Sequence, residues 1–214
     1  TALLQREETG EGRWVHTSLL EAQIAIMDFQ AARWLMGHEV PAQAGNNHPT
    51  AVPTGVYPTS DGHINIGSGG GQRWVRLCKA IGAEELLDDP DYAGREQRSK
   101  NRDALNAVLS DITRTRTSAQ WVELLNDAGV PCGPIYTLDQ TFADPQVRHL
   151  GIATKVVHPK LGAIELVGQP INLTGAPGRP WTATPELGEH TEMVLAELGY
   201  GAEAIADLRR RDVI

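Results

Sequence analysis

Two short polar stretches hold the residues best suited to meeting a ligand. Gly45-Asn46-Asn47-His48 sets two carboxamides beside an imidazole. These groups both donate and accept hydrogen bonds, a combination that suits a carboxylate. Asn also favours turns, so the same residues equally suit a plain loop. Gly67-Ser68-Gly69-Gly70-Gly71-Gln72 runs from a β-prone segment into a helical one. Glycine permits positive φ and close approach of a ligand to the backbone. The helix that follows offers free amides to an anion. The spacing matches neither G-x-G-x-x-G nor a P-loop, since no Gly-Lys-Ser/Thr is present. A mobile connection accounts for Gly69, Gly70 and Gly71 as well as a binding loop does.

Other reactive side chains carry weaker signals. Cys132 sits between Pro131 and Gly133-Pro134, where a small buried residue is the expected reading. Asp28 lies in an apolar helix, and a polar-face or interface-paired carboxylate is expected there. His190 follows Glu189 at a helix start and reads as a surface cap. The seven histidines form no HxxxH or HExxH pattern, so no metal site is expected. No G-x-S-x-G elbow is present. The residues alone give no complete catalytic set.

The bulk numbers narrow the classes. The chain has 214 residues, 41% of them hydrophobic, which suits a globular core. A net charge of −8 argues against a general nucleic-acid binder, though not against a small anionic ligand. No apolar run reaches membrane-spanning length. Arg6, Glu7, Glu8 and Glu11 at the N-terminus do not resemble a signal peptide. With Cys78 and Cys132 in no redox spacing, a cytoplasmic protein is expected.

Periodicity supplies the elements that must position these loops. Ala2 to Glu8 reads as the last two turns of a helix ended by Gly10 and Gly12, so the chain is expected to be a piece of something longer. Ser18 and Glu21 have capping-box spacing and open a helix to about Met36. That helix is apolar on most faces and needs covering, most simply by another subunit. Val56-Tyr57 and His63–Ile66 form a hairpin around Thr59-Ser60-Asp61-Gly62. Helices follow at Gln72–Ile81, Arg102–Thr113 and from Thr117, with a helical turn at Ala83–Leu87 and a polar run at Arg95–Lys100. Val130–Thr137 is extended, and Leu138–Ala143 and Pro145–Leu150 are short helices. Ile152–Val157 and Ala163–Val167 are strands about a turn at His158–Gly162, and 172–184 is a proline-broken loop. Helices at Glu192–Leu198 and Ala202–Arg210 close an α/β or α+β mixture.

Several stretches together resemble the family III CoA-transferases, the CaiB/BaiF group. They are Thr9–Val15 running into Ser18–Ala22, Gly45–Pro49, Thr59–Ile64, Ala128–Pro134, Asp144–Val147, Pro185–Thr191, Glu197–Tyr200 and Asp212-Val213-Ile214. Their order and spacing span essentially the whole chain. The resemblance implies the C-terminal portion of such an enzyme, lacking an N-terminal Rossmann-like half. Residues 1–44 would be the end of the large domain, a connecting helix and a linker. Residues 45–137 would be a small α+β domain with a short antiparallel sheet. Residues 138–214 would return to pack on the large domain. It implies an interlocked homodimer, coenzyme A thioester and carboxylic acid as substrates, and no permanently bound cofactor. No membrane and no nucleic-acid partner is expected.

The family's nucleophile is an Asp that forms aspartyl acyl intermediates, and it belongs upstream of Thr1. The resemblance therefore puts no catalytic residue in this chain, and the fragment alone is expected to be inactive. Gly45, Asn46, Asn47 and His48 stand where oxalate-specific relatives carry a run of glycines, and they become the expected substrate loop. Gly69, Gly70 and Gly71 become a second loop. Gly70 stands where related racemases place a Glu base, which disfavours racemisation. An acyl-CoA racemase and a non-catalytic dimerising fragment remain the alternatives.

Overall fold

The computed structural model describes residues 1–172, 174–175 and 181–214. They fall into two compact units, Thr1–Ile135 and Tyr136–Ile214. The fold is a mixed α/β arrangement with two short antiparallel sheets.

The first unit opens with α1 (Ala2–Thr9), closed by Gly10 at φ 74, whose amide returns to the Arg6 carbonyl. The single helix expected from Ser18 to about Met36 is two, α2 (Leu19–Ile26) and α3 (Phe29–Gly37). Asp28 separates them at φ 45 and ψ −122, a backbone conformation outside the helical region that interrupts the run of helix. The expected polar-face residue is therefore a helix breaker. The capping box at the start of α2 is half formed. Ser18 Oγ accepts from the Glu21 amide at 3.2 Å, but the Glu21 carboxylate takes the Ser18 hydroxyl at 2.7 Å, not the Ser18 amide. Leu19, Leu20, Ile26, Leu35 and Met36 are exposed.

The hairpin forms as expected, from β1 (Thr54–Pro58) and β2 (His63–Gly67), with Pro58 opposite His63. Alternation sends Tyr57, Ile64 and Ile66 to one face, where they are fully buried. Then come α4 (Gln72–Ile81), a 3₁₀ turn at Glu84–Leu87, α5 (Arg95–Lys100), α6 (Arg102–Thr113) and α7 (Ser118–Asp127). The polar run at 95–100 is a helix. Part of the extended run 130–137 is a third strand, β3 (Cys132–Pro134), on the far edge of β2. Trp74, Leu77, Leu105, Leu109, Trp121 and Leu125 from the helices pack with the sheet's inner face into one core. Trp121 keeps its polar edge satisfied by donating Nε1–H to the Thr113 carbonyl at 2.7 Å.

The second unit starts with α8 (Leu138–Ala143) and α9 (Pro145–Leu150). Asp144 caps α9 by accepting from the amides of Gln146 and Val147 at 2.8 and 3.2 Å. Next is the hairpin β4 (Ala153–His158) with β5 (Gly162–Val167). His158, expected in the turn, ends β4 and is buried. Its Nδ1 accepts the amides of Lys160 and Leu161 at 3.1 and 3.3 Å. The loop expected over 172–184 lies partly outside the described residues, at 173 and 176–180. α10 (Thr191–Glu197) and α11 (Ala202–Arg210) complete the unit. His190 sits at the N-cap of α10 and makes no side-chain cap.

One clip ties the hairpin turn to a helix start. Asp61 accepts from the Ser118 amide at 2.7 Å and from Ser118 Oγ at 3.0 Å. The Ser118 amide holds the Asp61 carboxyl below its ordinary range, helped by the Ser118 and Thr59 hydroxyls. A depressed carboxylate stabilises the fold above its unfolded-state pKa, and that contribution is lost as pH falls through the lower folded value. Asp61→Asn is expected to lower Tm at neutral pH, with the gap from the parent closing in strong acid. A gap that persists unchanged into acid would show that the charge contributes nothing.

Candidate functional site

The segment from Gly45 to Pro53 is held against the sheet by its backbone. The Val56 amide donates to the Asn46 carbonyl at 3.2 Å, and the His48 amide to the Thr54 carbonyl at 2.8 Å. Asn47 bridges to Gly55 in antiparallel fashion. A Cβ on Gly55 would lie 2.9 Å from Asn47 Oδ1 and 3.0 Å from the Asn46 carbonyl oxygen, so this close approach requires glycine. The Asn47 side chain is committed as well. Its Oδ1 accepts from Asn106 Nδ2 at 3.0 Å, and Asn106 Oδ1 accepts the Tyr57 hydroxyl at 2.8 Å. Burial raises the Tyr57 pKa well above its ordinary value, outweighing the nearby Arg102, so this hydroxyl stays a donor.

His48 is oriented by a compact turn of its own. Its Nδ1 accepts the amides of Thr50 and Ala51 at 3.2 and 3.0 Å. That leaves the ring proton of the neutral imidazole on Nε2, as a donor. The Phe29 ring at the start of α3 lies parallel to it, with centroids 5.8 Å apart. Farther along, the Pro49 carbonyl accepts from Arg102 at 2.7 Å and the Val52 carbonyl from Arg98 Nε at 3.1 Å. The same Arg98 guanidinium donates to the carbonyls of Tyr92 and Ala93 at 2.8 and 2.9 Å, and lies 4.9 Å from the centre of the Trp74 ring.

The second loop meets the first. A Cβ on Gly69 would run into the Ala51 side chain and lie 3.2 Å from Thr54 Oγ1. Gly71 takes φ 57 as the N-cap of α4, and no side chain caps that helix. Together the loops line an open cavity of about 540 Å³, walled by His48, Ala51, Thr54, Gly67, Gly69, Gly70, Gly71, Arg73 and Arg95. The structure thus brings His48 together with Gly69, Gly70 and Gly71. It does not bring Gly45, Asn46 or Asn47 to that wall. Asn47 supports the loop from behind, and Asn46 is exposed.

Sequence reasoning missed Arg73 and Arg95. Both are exposed, and among the described residues neither is in an ion pair. Among the described residues no carboxylate lines the cavity, in a chain of net charge −8. Arg73 follows the glycine loop by two residues, a signal that was available. Arg95 is distant in sequence and carried none. The thiols offer no alternative nucleophile, because burial pushes Cys132 up to about 11 and Cys78 up to about 12. Among the described residues no group of three His, Cys, Asp or Glu side chains is placed to hold a metal ion.

Comparison with known proteins gives this cavity its context. The profile of CoA-transferase family III matches residues 1–191. This chain belongs to the family III CoA-transferases. Human succinyl-CoA:glutarate CoA-transferase is 32% identical over 213 residues, covering 99% of this chain and 49% of that protein. Succinate–glutarate CoA-transferase of Agrobacterium fabrum is 32% identical over 197 residues, covering 92% of this chain and 49% of that protein. A CaiB/BaiF family crystal structure from Brucella suis superposes with a TM-score of 0.74 at 30% identity, covering 92% of this chain and 50% of that one. The chain therefore spans about half the length of the family III relatives it matches.

The contact between the two loops is testable in stability. Gly69→Ala is expected to destabilise the protein by about 1–3 kcal/mol, the usual range for overpacking, measured by denaturant unfolding. Ala51→Gly in the same chain should recover much of the loss, since it removes the atom that is struck. A Gly69→Ala protein as stable as its parent would remove this contact from the account.

Proposed function

We propose that the protein containing these residues transfers CoA between a small acyl-CoA and a free carboxylic acid, and that His48 and the Gly69–Gly71 loop face the acid. The observation that carries the reading is the cavity itself. Among the described residues it offers the His48 imidazole and two arginines and presents no carboxylate, which suits an acid substrate. Family membership supplies the reaction type. The names of the relatives pair succinyl-CoA with glutarate, so short organic acids of that kind are the acceptors to try first.

In this reading a carboxylate outside the 214 residues, expected to be an Asp, takes the acyl group from the donor thioester as a mixed anhydride. The released CoA thiolate attacks the aspartyl carbonyl and frees the first acid. The second acid then attacks the aspartyl thioester, and CoA returns to that acid's carbonyl, regenerating the Asp. No oxidant or metal enters this balance. Gly70 lines the cavity and has no side chain with which to abstract a proton, which favours transfer over racemisation. The segment alone carries no such nucleophile and is inactive in this reading. The exposed apolar side chains of α2 and α3 support a homodimer, interlocked as the family resemblance implies, in which these helices are covered. Two thiols, neither paired in a disulfide, suit a cytoplasmic location, and no helix among the described residues is long and apolar enough to cross a membrane.

In the full-length protein His48→Ala is expected to lower kcat/KM for the acid by about tenfold or more, the loss of one hydrogen bond to a charged group. Asn47→Ala should act mainly on stability, by about 1 kcal/mol, because its partner is Asn106. If His48→Ala leaves the kinetics of every acid tried unchanged, His48 does not face the substrate.

A further inference from the structure

We infer that Arg73 and Arg95 form a clamp for a second carboxylate, so that the cavity selects dicarboxylic over monocarboxylic acids; this inference depends on the transferase reading above. A transferred acid spends one carboxylate at the reacting centre, where it becomes the thioester. A monocarboxylic acid then presents only carbon to the rest of the cavity. Two guanidiniums facing only carbon would be poorly used, because their hydrogen bonds would go to water alone. A dicarboxylic acid brings a second anion to them.

The setting of the two arginines supports this. Arg73 lies in the first turn of α4, a ten-residue helix whose N-cap Gly71 supplies no side-chain cap. The positive end of that helix and the Arg73 charge therefore act in the same sense. Arg95 reaches the same cavity from α5, more than twenty positions along the chain. Its element is fixed by Arg98, which ties that stretch to the Val52 carbonyl of the His48 loop. A guanidinium presents a planar fork of donors that matches a carboxylate. Most of the chain's other arginines are already engaged. Arg6, Arg33, Arg114, Arg209, Arg210 and Arg211 form ion pairs. Arg98 and Arg102 hold backbone carbonyls.

The test compares Arg73→Gln, Arg95→Gln and the double variant with the parent in the full-length protein. Glutarate and butyrate serve as acids of similar reach with two and one carboxylates. The clamp predicts that the glutarate-to-butyrate ratio of kcat/KM falls by about tenfold in each single variant and further in the double. Thermal-shift titration of the parent with glutarate and butyrate gives a readout separate from turnover. A larger stabilisation by glutarate, lost in the double variant, supports the clamp even if the parent moves no CoA. That second result would sink the transferase reading instead. Ratios that stay the same in all three variants overturn the clamp. An unchanged ratio together with weaker inhibition by free CoA would assign the two arginines to CoA phosphates.

Discussion

The Arg98 guanidinium is 3% exposed, and its hydrogen bonds reach carbonyls at Val52, Tyr92 and Ala93. A buried cation costs several kcal/mol unless it is satisfied. Here three main-chain acceptors and the face of Trp74 supply that satisfaction. Desolvation pulls its pKa down, yet an arginine begins so high that the group stays charged. The consequence is spatial. One side chain from α5 joins the stretch before that helix, the loop after His48 and the first turn of α4. Two of these, the loop after His48 and the first turn of α4, contribute Ala51 and Arg73 to the cavity wall, and α5 itself contributes Arg95, so Arg98 ties together elements that line it.

Two glycines and one histidine hold the His48 segment in place by a different principle. Gly55 and Gly69 are sites where one stretch of backbone approaches another too closely for a Cβ, and each approach brings the His48 segment against the sheet or the second loop. His48 then folds its own following residues around Nδ1, which leaves Nε2–H as the donor of the neutral ring. The same His-Pro-x-x turn recurs in the second unit. There His158 Nδ1 gathers the amides of Lys160 and Leu161, while its Nε2 lies 3.7 Å from Glu186. In both places a histidine turns the chain sharply by accepting two consecutive amides, a structural use of the residue that a search for metal or catalytic patterns overlooks.

The helices α2 and α3 pose the opposite condition, with large apolar side chains left in water. Their composition is that of a covered element, and Leu19 is 86% and Met36 85% exposed. Burial of such side chains is worth roughly 25 cal/mol for each Å² removed from water, so the drive to cover them is large.

Local sequence determined most of the elements, because their signals are short-ranged. Thr117 with Gln120 makes its capping box, Asp144 caps Pro145, Gly10 and Gly82 close helices in the left-handed conformation, and Asp61-Gly62 turns the hairpin. The order of motifs along the chain also pointed to the family, which depends on linear spacing. What the tertiary structure decided is the site. Asn47 looked like a ligand residue and became a buttress through Asn106, fifty-nine positions away. The run 95–100 read along the chain only as polar, and packing makes it the source of a buried cation and a cavity arginine. The third strand at Cys132–Pro134 took its place only because β2 offered an edge. Periodicity and capping act over a few residues and can be read along the chain. Charge burial, side-chain partnership and cavity lining depend on residues far apart in sequence, and only packing brings them together.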